Sequence, residues 1–293
     1  MFQLLNLKVI PGNIAKYFSK IIEDTVKTRR EKQIVRPDMI HLLLEAQKGR
    51  HHQDEDTKVS EGFSSVPEFE VTKNPQKQEI TLEDICSQAF IFFLAGFETV
   101  STFLTFAFYE LTVNPEIQSR LREELQTVEG KITYETLLGL KYLDMVVSEV
   151  LRKWPPAILT DREVNKQITI QPKKPGERPL VLEEGVACML PIFAIHRDEK
   201  FYPDPEQFDP ERFSDENKHK INPSAYLPFG TGPRNCIGSR FALLESKLLI
   251  YHVLRNFELV QVEKTPNPVI LDKYQFNITA EGGMWLGLKK IDS

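Results

Sequence analysis

The chain has 293 residues, a formal net charge of −5 and 41% hydrophobic residues. This length fits one or two domains, and the apolar fraction is sufficient for a large core. The charges are mixed and net negative, so no basic field is present that could neutralise nucleic-acid phosphates, which argues against nucleic-acid binding. Cys86, Cys188 and Cys236 lie far apart in the sequence, which fits neither a disulfide framework nor a zinc site and favours a reducing compartment.

The first elements in chain order are predicted to be helices. Apolar residues recur at helical spacing after Pro11 and Gly12, and Arg-Pro-Asp at residues 36–38 then opens a second helix over residues 39–47. Residues 49–78 are polar and unperiodic, which predicts a mobile connection. Its adjacent His51 and His52 could bind a metal, but the pattern favours a solvated loop.

A long helix is predicted to begin at the capping sequence of residues 81–84 and to continue toward Leu111. It is apolar nearly all round, which predicts a buried helix. No run of eighteen apolar residues occurs in the chain, so no segment is expected to span a membrane. Residues 1–8 do not resemble a signal peptide.

The remainder is predicted to contain shorter helices followed by small strands. The helices are expected at residues 115–128, 134–138 and 143–154, and the strands at residues 168–170 and 180–182, with a last hairpin at residues 277–288. The predicted fold class is mainly α with small β-sheets. No repeat or change of composition marks a second domain.

The most informative segment is residues 229–238, Phe-Gly-Thr-Gly-Pro-Arg-Asn-Cys-Ile-Gly. Cys236 lies just before an apolar helical pattern, where the helix dipole and unpaired N–H groups favour a thiolate that can bind a metal. Arg234 offers a charge for a carboxylate. The loop glycines permit positive φ and the close approach of a flat group to the backbone; they are Gly230, Gly232 and Gly238. A haem with its carboxylate tails fits this description.

The segment resembles the haem-thiolate signature of the cytochromes P-450, Phe-Gly-x-Gly-x-Arg-x-Cys-x-Gly, at every specified position. The resemblance implies the cytochrome P-450 fold and haem b (iron protoporphyrin IX) as cofactor, with Cys236 as the iron ligand. It also implies that Phe229, Gly230, Gly238 and Arg234 contact the cofactor.

The segment Ala-Gly-Phe-Glu-Thr, which ends at Thr99, lies within the long predicted helix. From the residues alone, it is a helix-helix contact at Gly96 with Thr99 bonding back to a carbonyl. The segment resembles the family's oxygen-activation motif, in which the helix is locally opened. That resemblance assigns Thr99 to hydrogen-bonding dioxygen and Glu98 to proton delivery. Many members have a second hydroxyl residue directly after the threonine, whereas this chain has Val100 and then Ser101.

Glu149 and Arg152 are three residues apart on a predicted helix and share one face. Such pairs are commonly solvated and contribute about 0.3 to 0.5 kcal/mol. Their order before Pro-Glu-Arg-Phe at residues 210–213 resembles the family, which implies that Glu149, Arg152 and Arg212 form an internal salt-bridge network.

Arg162 follows the double proline at residues 155–156. It is either a surface charge or, by resemblance, the arginine that pairs with a haem propionate together with Arg234. His196 is an alternative iron ligand by residue type, but no glycine loop frames it, which predicts a structural role. Cys188 is predicted to be a buried strand residue.

The resemblance covers essentially the whole chain but only part of the family. The chain looks like the C-terminal half or more of a microsomal member, similar to insect members of family 9 in the detoxification clan. The N-terminal membrane anchor and first helices of a complete member are not found in it. The expected fold is therefore an N-terminally truncated one, from a protein of the cytoplasmic face of the endoplasmic reticulum.

The resemblance implies a monooxygenase that oxidises lipophilic substrates, xenobiotic or endogenous, with O2. NADPH would supply electrons through cytochrome P-450 reductase, with cytochrome b5 as a second donor. Arg234, Arg240 and Lys247 are either a docking face for the reductase or scattered surface charges. Two alternatives stay open: an inactive fragment that does not fold alone, and a haem-thiolate isomerase that needs no reductase.

Overall fold

The computed structural model describes residues 10–48, 62–66, 80–275 and 277–291. The chain divides into two compact units. The first comprises Met1–Lys58 and Glu70–Glu98, and the second comprises Val59–Phe69 and Thr99–Ser293. No change of composition in the sequence marks this division.

The described residues are mainly helical, with small antiparallel sheets, which confirms the predicted fold class. The helices are α1 Gly12–Glu31, α2 Met39–Gln47, α3 Leu82–Val113, α4 Pro115–Gln126, α5 Tyr134–Gly139, α6 Lys141–Lys153, α7 Ile192–Ile195 and α8 Ser239–Asn256. Short 3-10 helices cover Pro210–Phe213, Lys218–Lys220 and Gly232–Arg234. The strands are β1 Thr160–Glu163, β2 Ile168–Ile170, β3 Leu180–Leu182, β4 Ala187–Leu190, β5 Phe257–Val260 and β6 Gly287–Lys290. They pair as β1 with β4, β2 with β3, and β5 with β6.

The predicted hairpin at residues 277–288 is wrong in its pairing. Strand β6 pairs with β5, so that Phe257 lies opposite Lys290. A single bridge joins Leu271 to Ala280 earlier in the segment. The partner of β6 is distant in sequence, and a local pattern of β-prone residues contains no information about such a partner.

In the first unit, α1 and α2 pack on the N-terminal part of α3. Their shared core contains Ile22, Val26, Leu44, Ile85, Cys86 and Ala89. Arg29 donates from both terminal nitrogens to the two carboxylate oxygens of Asp38, at 2.7 and 2.6 Å. Asp38 is also the N-cap of α2, because its Oδ1 accepts from the N–H of His41 at 3.1 Å. One carboxylate therefore joins the end of α1 to the start of α2.

Helix α3 begins at the predicted capping box. The N–H of Asp84 donates to Thr81 Oγ1 at 3.1 Å, and the N–H of Thr81 donates to Asp84 Oδ2 at 2.8 Å. The prediction of a buried helix is wrong for the N-terminal half of α3, where Ile91, Phe93 and Phe97 are 58%, 54% and 63% exposed. In the C-terminal half, Phe106 and Leu111 are completely buried, as predicted. A helix that is apolar all round need not be covered by its own chain.

By length and composition alone, α3 is apolar enough to cross a membrane. Its apolar stretch of 18 residues has a mean hydropathy of 1.7, and 22% of that stretch is buried. The expectation that no segment spans a membrane stays a prediction, although α3 meets this averaged criterion. The expectation required an uninterrupted apolar run, whereas an average over a window tolerates single polar residues. Core helices of soluble proteins meet the same criterion, so the result does not place α3 in a membrane.

The second unit is built around α6, which packs against α8 and α4. Its core contains Leu121, Leu125, Leu143, Val146, Val147, Val150, Ile250 and Leu254. The buried Gln118 side chain donates to the carbonyls of Leu111 and Leu259 and accepts from the N–H of Leu259. These hydrogen bonds join α4 to the end of α3 and to β5.

The predicted mobile connection is wrong for residues 62–66, which pack in the second unit with Ser64 only 2% exposed. An aromatic residue and two serines after a glycine, within a polar stretch, gave no periodic pattern from which packing could be predicted. The adjacent histidines, His51 and His52, lie outside the described residues.

Candidate active site

The loop before α8 is folded back on itself by backbone hydrogen bonds. The N–H of Cys236 donates to the carbonyl of Phe229 at 2.8 Å, and the N–H of Gly230 donates to the carbonyl of Leu227 at 3.1 Å. Gly230 and Gly232 have φ of 70° and 77°, which non-glycine residues rarely adopt. The sequence of the loop therefore places Cys236 at the entrance of α8.

Gly238 departs from the prediction of positive φ, because it is the N-cap of α8 with φ of −96°. A Cβ built there would meet no atom of the described chain within 4 Å. Neither its backbone angle nor a protein neighbour requires glycine. The open space at this position leaves room for a flat group close to the backbone.

Cys236 is an exposed residue, and neighbouring protein atoms partly desolvate its thiol. This partial burial raises the pKa of the Cys236 thiol, against the lowering effect of a hydrogen bond from the N–H of Gly238. The helix start alone therefore does not favour the thiolate, contrary to the expectation from sequence. A metal cation bound by Cys236 would supply this stabilisation, because metal coordination deprotonates a thiol.

Two large apolar side chains lie exposed beside the cysteine. Ile237 is 87% exposed and Phe241 is 65% exposed. Exposed apolar groups next to a metal-ligating residue type indicate a surface that an apolar partner covers. With the accessible sulfur of Cys236 and the open space at Gly238, they fit a haem.

The two candidate propionate ligands are both exposed arginines. Arg234 ends a short 3-10 helix and has no ion-pair or hydrogen-bond partner among the residues that the structure describes. Arg162 lies on β1 and donates from Nη1 to Thr160 Oγ1 at 3.0 Å and to the carbonyl of Asp161 at 2.7 Å. It stays a prediction that Arg162 and Arg234 bind the propionates of the same haem.

Opposite Arg162 in the β1–β4 pair lies Cys188. Its strand position agrees with the sequence, but Cys188 is half-buried and not buried as predicted. Among the described residues, this sheet consists of β1 and β4 alone.

The structure brings Glu149, Arg152 and Arg212 together. Arg152 donates from Nε and Nη2 to the two oxygens of Glu149 at 2.7 and 2.8 Å, with both side chains fully buried. Arg212 Nε lies 3.5 Å from Glu149 Oε1, and the N–H of Asp209 donates to the same oxygen at 2.9 Å. The solvated-pair alternative is therefore excluded. Burial raises the pKa of Glu149, and the bonds from Arg152 act in the opposite direction.

His196 is fully buried and is part of this framework. Its Nε2 accepts from the N–H of Leu227 at 2.8 Å, so Nδ1 carries the proton and donates to the carbonyl of Arg152 at 3.0 Å. Both ring nitrogens are thus engaged by the chain. This geometry leaves no lone pair for iron and excludes His196 as an alternative ligand in this conformation.

Glu98 and Thr99 are exposed residues of α3. The helix is regular from Leu82 to Val113, so the local opening implied by the family resemblance is not present. A Cβ built on Gly96 would meet no described atom outside the helix within 4 Å. The alternative of a helix contact at Gly96 therefore has no support in the described part of the chain.

Lys247 corrects the expected basic face. It is completely buried on α8 and its Nζ lies 2.7 Å from Asp144 Oδ1. A buried lysine cannot meet a partner protein, so the proposed face is reduced to Arg234 and Arg240, both exposed. The residue type and helical position of Lys247 did not reveal that Asp144 on α6 supplies a partly buried carboxylate as its partner.

Tyr226, just before the cysteine loop, is surrounded by polar groups of Ser64 and Ser148 that the sequence did not predict. Its hydroxyl lies 2.7 Å from Ser64 Oγ and donates to the carbonyl of Ser148 at 2.9 Å. Burial raises the pKa of Tyr226 well above its ordinary value. The only signal in the sequence was the phenylalanine and serine that follow Gly62 in a polar stretch.

Known proteins provide an independent comparison. The family model described as Cytochrome P450 matches residues 7–286. Cytochrome P450 9e2 of Blattella germanica is 46% identical over 99% of this chain and 52% of its own length. Probable cytochrome P450 9f2 of Drosophila melanogaster is 42% identical over 98% of this chain and 52% of its own length.

A third relative, probable cytochrome P450 6a14 of Drosophila melanogaster, is 36% identical over 98% of this chain and 54% of its own length. The chain thus spans about half the length of the curated relatives it matches. The similarity to insect family 9 that the sequence motifs indicated is confirmed by the first two relatives. The chain belongs to the cytochrome P450 family.

Proposed function

We propose that this chain provides the haem-thiolate part of a monooxygenase. The observation that carries the proposal is the accessible sulfur of Cys236, beside exposed Ile237 and Phe241 and at the start of α8. Haem bound here would supply the iron chemistry that activates O2, and a thiolate ligand favours O–O cleavage. Arg234 and Arg162 would bind the propionates, and Phe229, Gly230 and Gly238 would contact the ring.

The chain's own residues have supporting roles in this proposal. Thr99 would hold dioxygen by a hydrogen bond and Glu98 would deliver protons, as the consecutive exposed positions on α3 permit. Exposed Ile91, Phe93 and Phe97 on the same helix favour a lipophilic substrate, because ligand pockets are mainly lined by apolar and aromatic groups. Glu149, Arg152 and Arg212 would hold the surrounding loops.

The electron donor in this proposal is NADPH-dependent cytochrome P-450 reductase, with cytochrome b5 as a second donor. The proposed location is the cytoplasmic face of the endoplasmic reticulum membrane. The resemblance to microsomal members of the family supports membrane association.

The test compares Cys236→Ala with Cys188→Ala in the full-length protein that contains this chain. Wild type and Cys188→Ala should show the red-shifted absorption band of the reduced carbon monoxide complex, and Cys236→Ala should lack it. Survival of that band in Cys236→Ala would contradict the assignment. NADPH-dependent oxidation in the presence of reductase would distinguish the monooxygenase from an isomerase, which needs no electrons.

A further inference from the structure

Residues 62–64 form a turn that packs against the start of α6. The N–H of Phe63 donates to Asp144 Oδ2 at 2.9 Å, and the turn is closed by Ser65, whose Oγ donates to the carbonyl of Gly62 at 3.2 Å. Gly62 has φ of 89°, and a Cβ there would lie 2.2 Å from Asp144 Oδ1. Both the backbone angle and the contact therefore require glycine.

The Asp144 carboxylate, which accepts the hydrogen bond from the N–H of Phe63, also forms an ion pair with a lysine of α8. Lys247 Nζ lies 2.7 Å from Asp144 Oδ1, and the lysine side chain is completely buried. A buried ammonium needs such a partner, because an unpaired buried charge is costly. Asp144 thus connects residues 62–64 with the helix that follows Cys236.

The second connection is a ring of hydrogen bonds around Ser64. Tyr226 must donate its only hydroxyl proton to the carbonyl of Ser148, since a carbonyl cannot donate. Tyr226 Oη therefore accepts from Ser64 Oγ at 2.7 Å. Ser64 Oγ in turn accepts from Ser148 Oγ at 2.8 Å. Each hydroxyl proton has one acceptor, so removal of the Ser64 hydroxyl breaks two bonds of this buried ring.

Aromatic rings complete the contact. Phe63 lies 5.0 Å from Phe213 and 5.4 Å from Tyr226 between ring centroids. Phe213 and Tyr226 are 5.1 Å apart. Three mutually packed rings exclude water from the hydrogen-bond ring around Ser64, and aromatic pairs at such distances are favourable.

Tyr226 leads directly into the cysteine loop. The next residue, Leu227, donates its N–H to His196 and accepts from the N–H of Gly230, and Phe229 accepts from the N–H of Cys236. Residues 62–64 are therefore connected to the chain on both sides of the cysteine loop, to Tyr226 before it and, through Asp144, to Lys247 of α8 after it.

We propose that residues 62–64 are a positioning segment for Cys236, which holds the cysteine loop in the geometry that retains thiolate ligation of haem. The proposal rests on the proposed function, because it concerns the same sulfur. Ser64 is a positioning residue and not a catalytic one, since it acts on Cys236 through Tyr226 and the backbone of the loop.

The test uses Ser64→Ala and the matched control Ser65→Ala in the full-length, haem-loaded protein. Among the described residues, the Ser65 hydroxyl bonds only to the carbonyl of Gly62 within the turn, so its loss should leave the cysteine loop unchanged. In Ser64→Ala we expect the red-shifted carbon monoxide band to be lost about tenfold faster on warming, because both hydrogen bonds of the buried Ser64 hydroxyl are removed. Hydrogen exchange in peptides that cover residues 226–238 should accelerate by about the same factor.

Two further variants keep the result interpretable if Ser64→Ala destabilises the whole protein. Tyr226→Phe keeps the ring contacts and removes the hydroxyl, so it should reproduce the effect, whereas Ser64→Thr should restore the wild-type behaviour. Equal behaviour of Ser64→Ala, Tyr226→Phe and Ser65→Ala would overturn the proposal, as would faster exchange spread evenly over the second unit. Absence of the band from wild-type protein would instead contradict the proposed function.

Discussion

Arg152 holds Glu149 by both carboxylate oxygens, with Nε 2.7 Å from Oε2 and Nη2 2.8 Å from Oε1, in a site from which solvent is excluded. The remaining guanidinium nitrogen, Nη1, donates to the carbonyl of His196 at 3.0 Å. The arginine thus joins α6 to the segment after α7. A planar donor fork suits this arrangement, and lysine could not reproduce it.

Replacement of Arg152 by methionine should destabilise the second unit strongly. The change preserves much of the side-chain volume but leaves the Glu149 carboxylate buried without its main partner, which costs about 3 to 5 kcal/mol. Urea unfolding of wild type and variant measures the difference in the free energy of unfolding. The control is Arg120→Met, because Arg120 pairs with Glu211 at the surface; it should have a much smaller effect, and an equal loss would contradict the assigned role of burial.

His196 should make stability depend on pH. Burial lowers the pKa of His196 from 6.5 to about 4, and protonation of Nε2 would place two donors against each other at Leu227. Between pH 4 and pH 6.5, His196 binds a proton in the unfolded chain but not in the folded chain. The contribution is therefore complete above pH 6.5 and is lost as the pH falls toward 4, by about 1.4 kcal/mol per pH unit.

The measurement is the free energy of unfolding of wild type and His196→Gln at several pH values between 4 and 7. Glutamine offers one donor and one acceptor but does not titrate. The difference between the two proteins should shrink as the pH is lowered from 6.5, since only wild type loses stability through this group. A constant difference over the range would show that His196 does not titrate in this way.

In the first unit, two variants of Asp38 separate the effect of its charge from its role as the N-cap of α2. Its hydrogen bonds with Arg29 are the main cause that lowers the pKa of Asp38 to about 2. Asp38→Asn retains an N-cap for α2 but loses the ionic partner of Arg29, whereas Asp38→Ala loses both. We expect α2 to be weakened in both variants at neutral pH, with alanine worse than asparagine by about 1 kcal/mol.

Hydrogen exchange of the amides in α2 reports this local stability. The stabilisation by the ionised carboxylate is present above pH 3.8 and is lost as the pH falls toward 2, because the folded state holds the group ionised to lower pH. Identical exchange in Asp38→Asn and Asp38→Ala would contradict a capping role.

Local patterns predicted much of this fold. The capping box at Thr81 and the helix over Met39–Gln47 are encoded by neighbouring residues, and the structure reproduces both. The pairing of β6 with β5 and the burial of Lys247 by Asp144 depend on partners far away in sequence. No periodicity contains such information, which explains why the pairing of the last hairpin and the surface position of Lys247 were predicted wrongly.

The candidate site shows the same division. The residue types and spacing around Cys236 indicated a metal ligand, and the structure places Cys236 in an accessible loop at a helix start. Ser64 and Tyr226 carry no catalytic residue pattern, and their relation arises only when a polar connection folds against α6. The exposed face of α3 could not be predicted either, because the apolar residues of a helix do not show whether another part of the chain packs over them.

Arg234 provides the most direct test of propionate binding, because it has no ion-pair or hydrogen-bond partner in the described part of the chain and its loss should not affect folding. We expect Arg234→Gln in the full-length protein to release haem to an apo-globin acceptor about tenfold faster than wild type, through loss of a charge-assisted hydrogen bond. The matched control is Arg178→Gln, which changes an exposed arginine between β2 and β3 and should release haem at the wild-type rate.

The Arg162→Gln variant should also accelerate haem release if both arginines bind propionates. Its effect should add to that of Arg234→Gln in the double variant if each arginine binds a separate carboxylate. Wild-type release rates in Arg234→Gln would exclude it as a haem ligand while leaving the ligation by Cys236 intact, since the two contacts are made by different atoms of the cofactor.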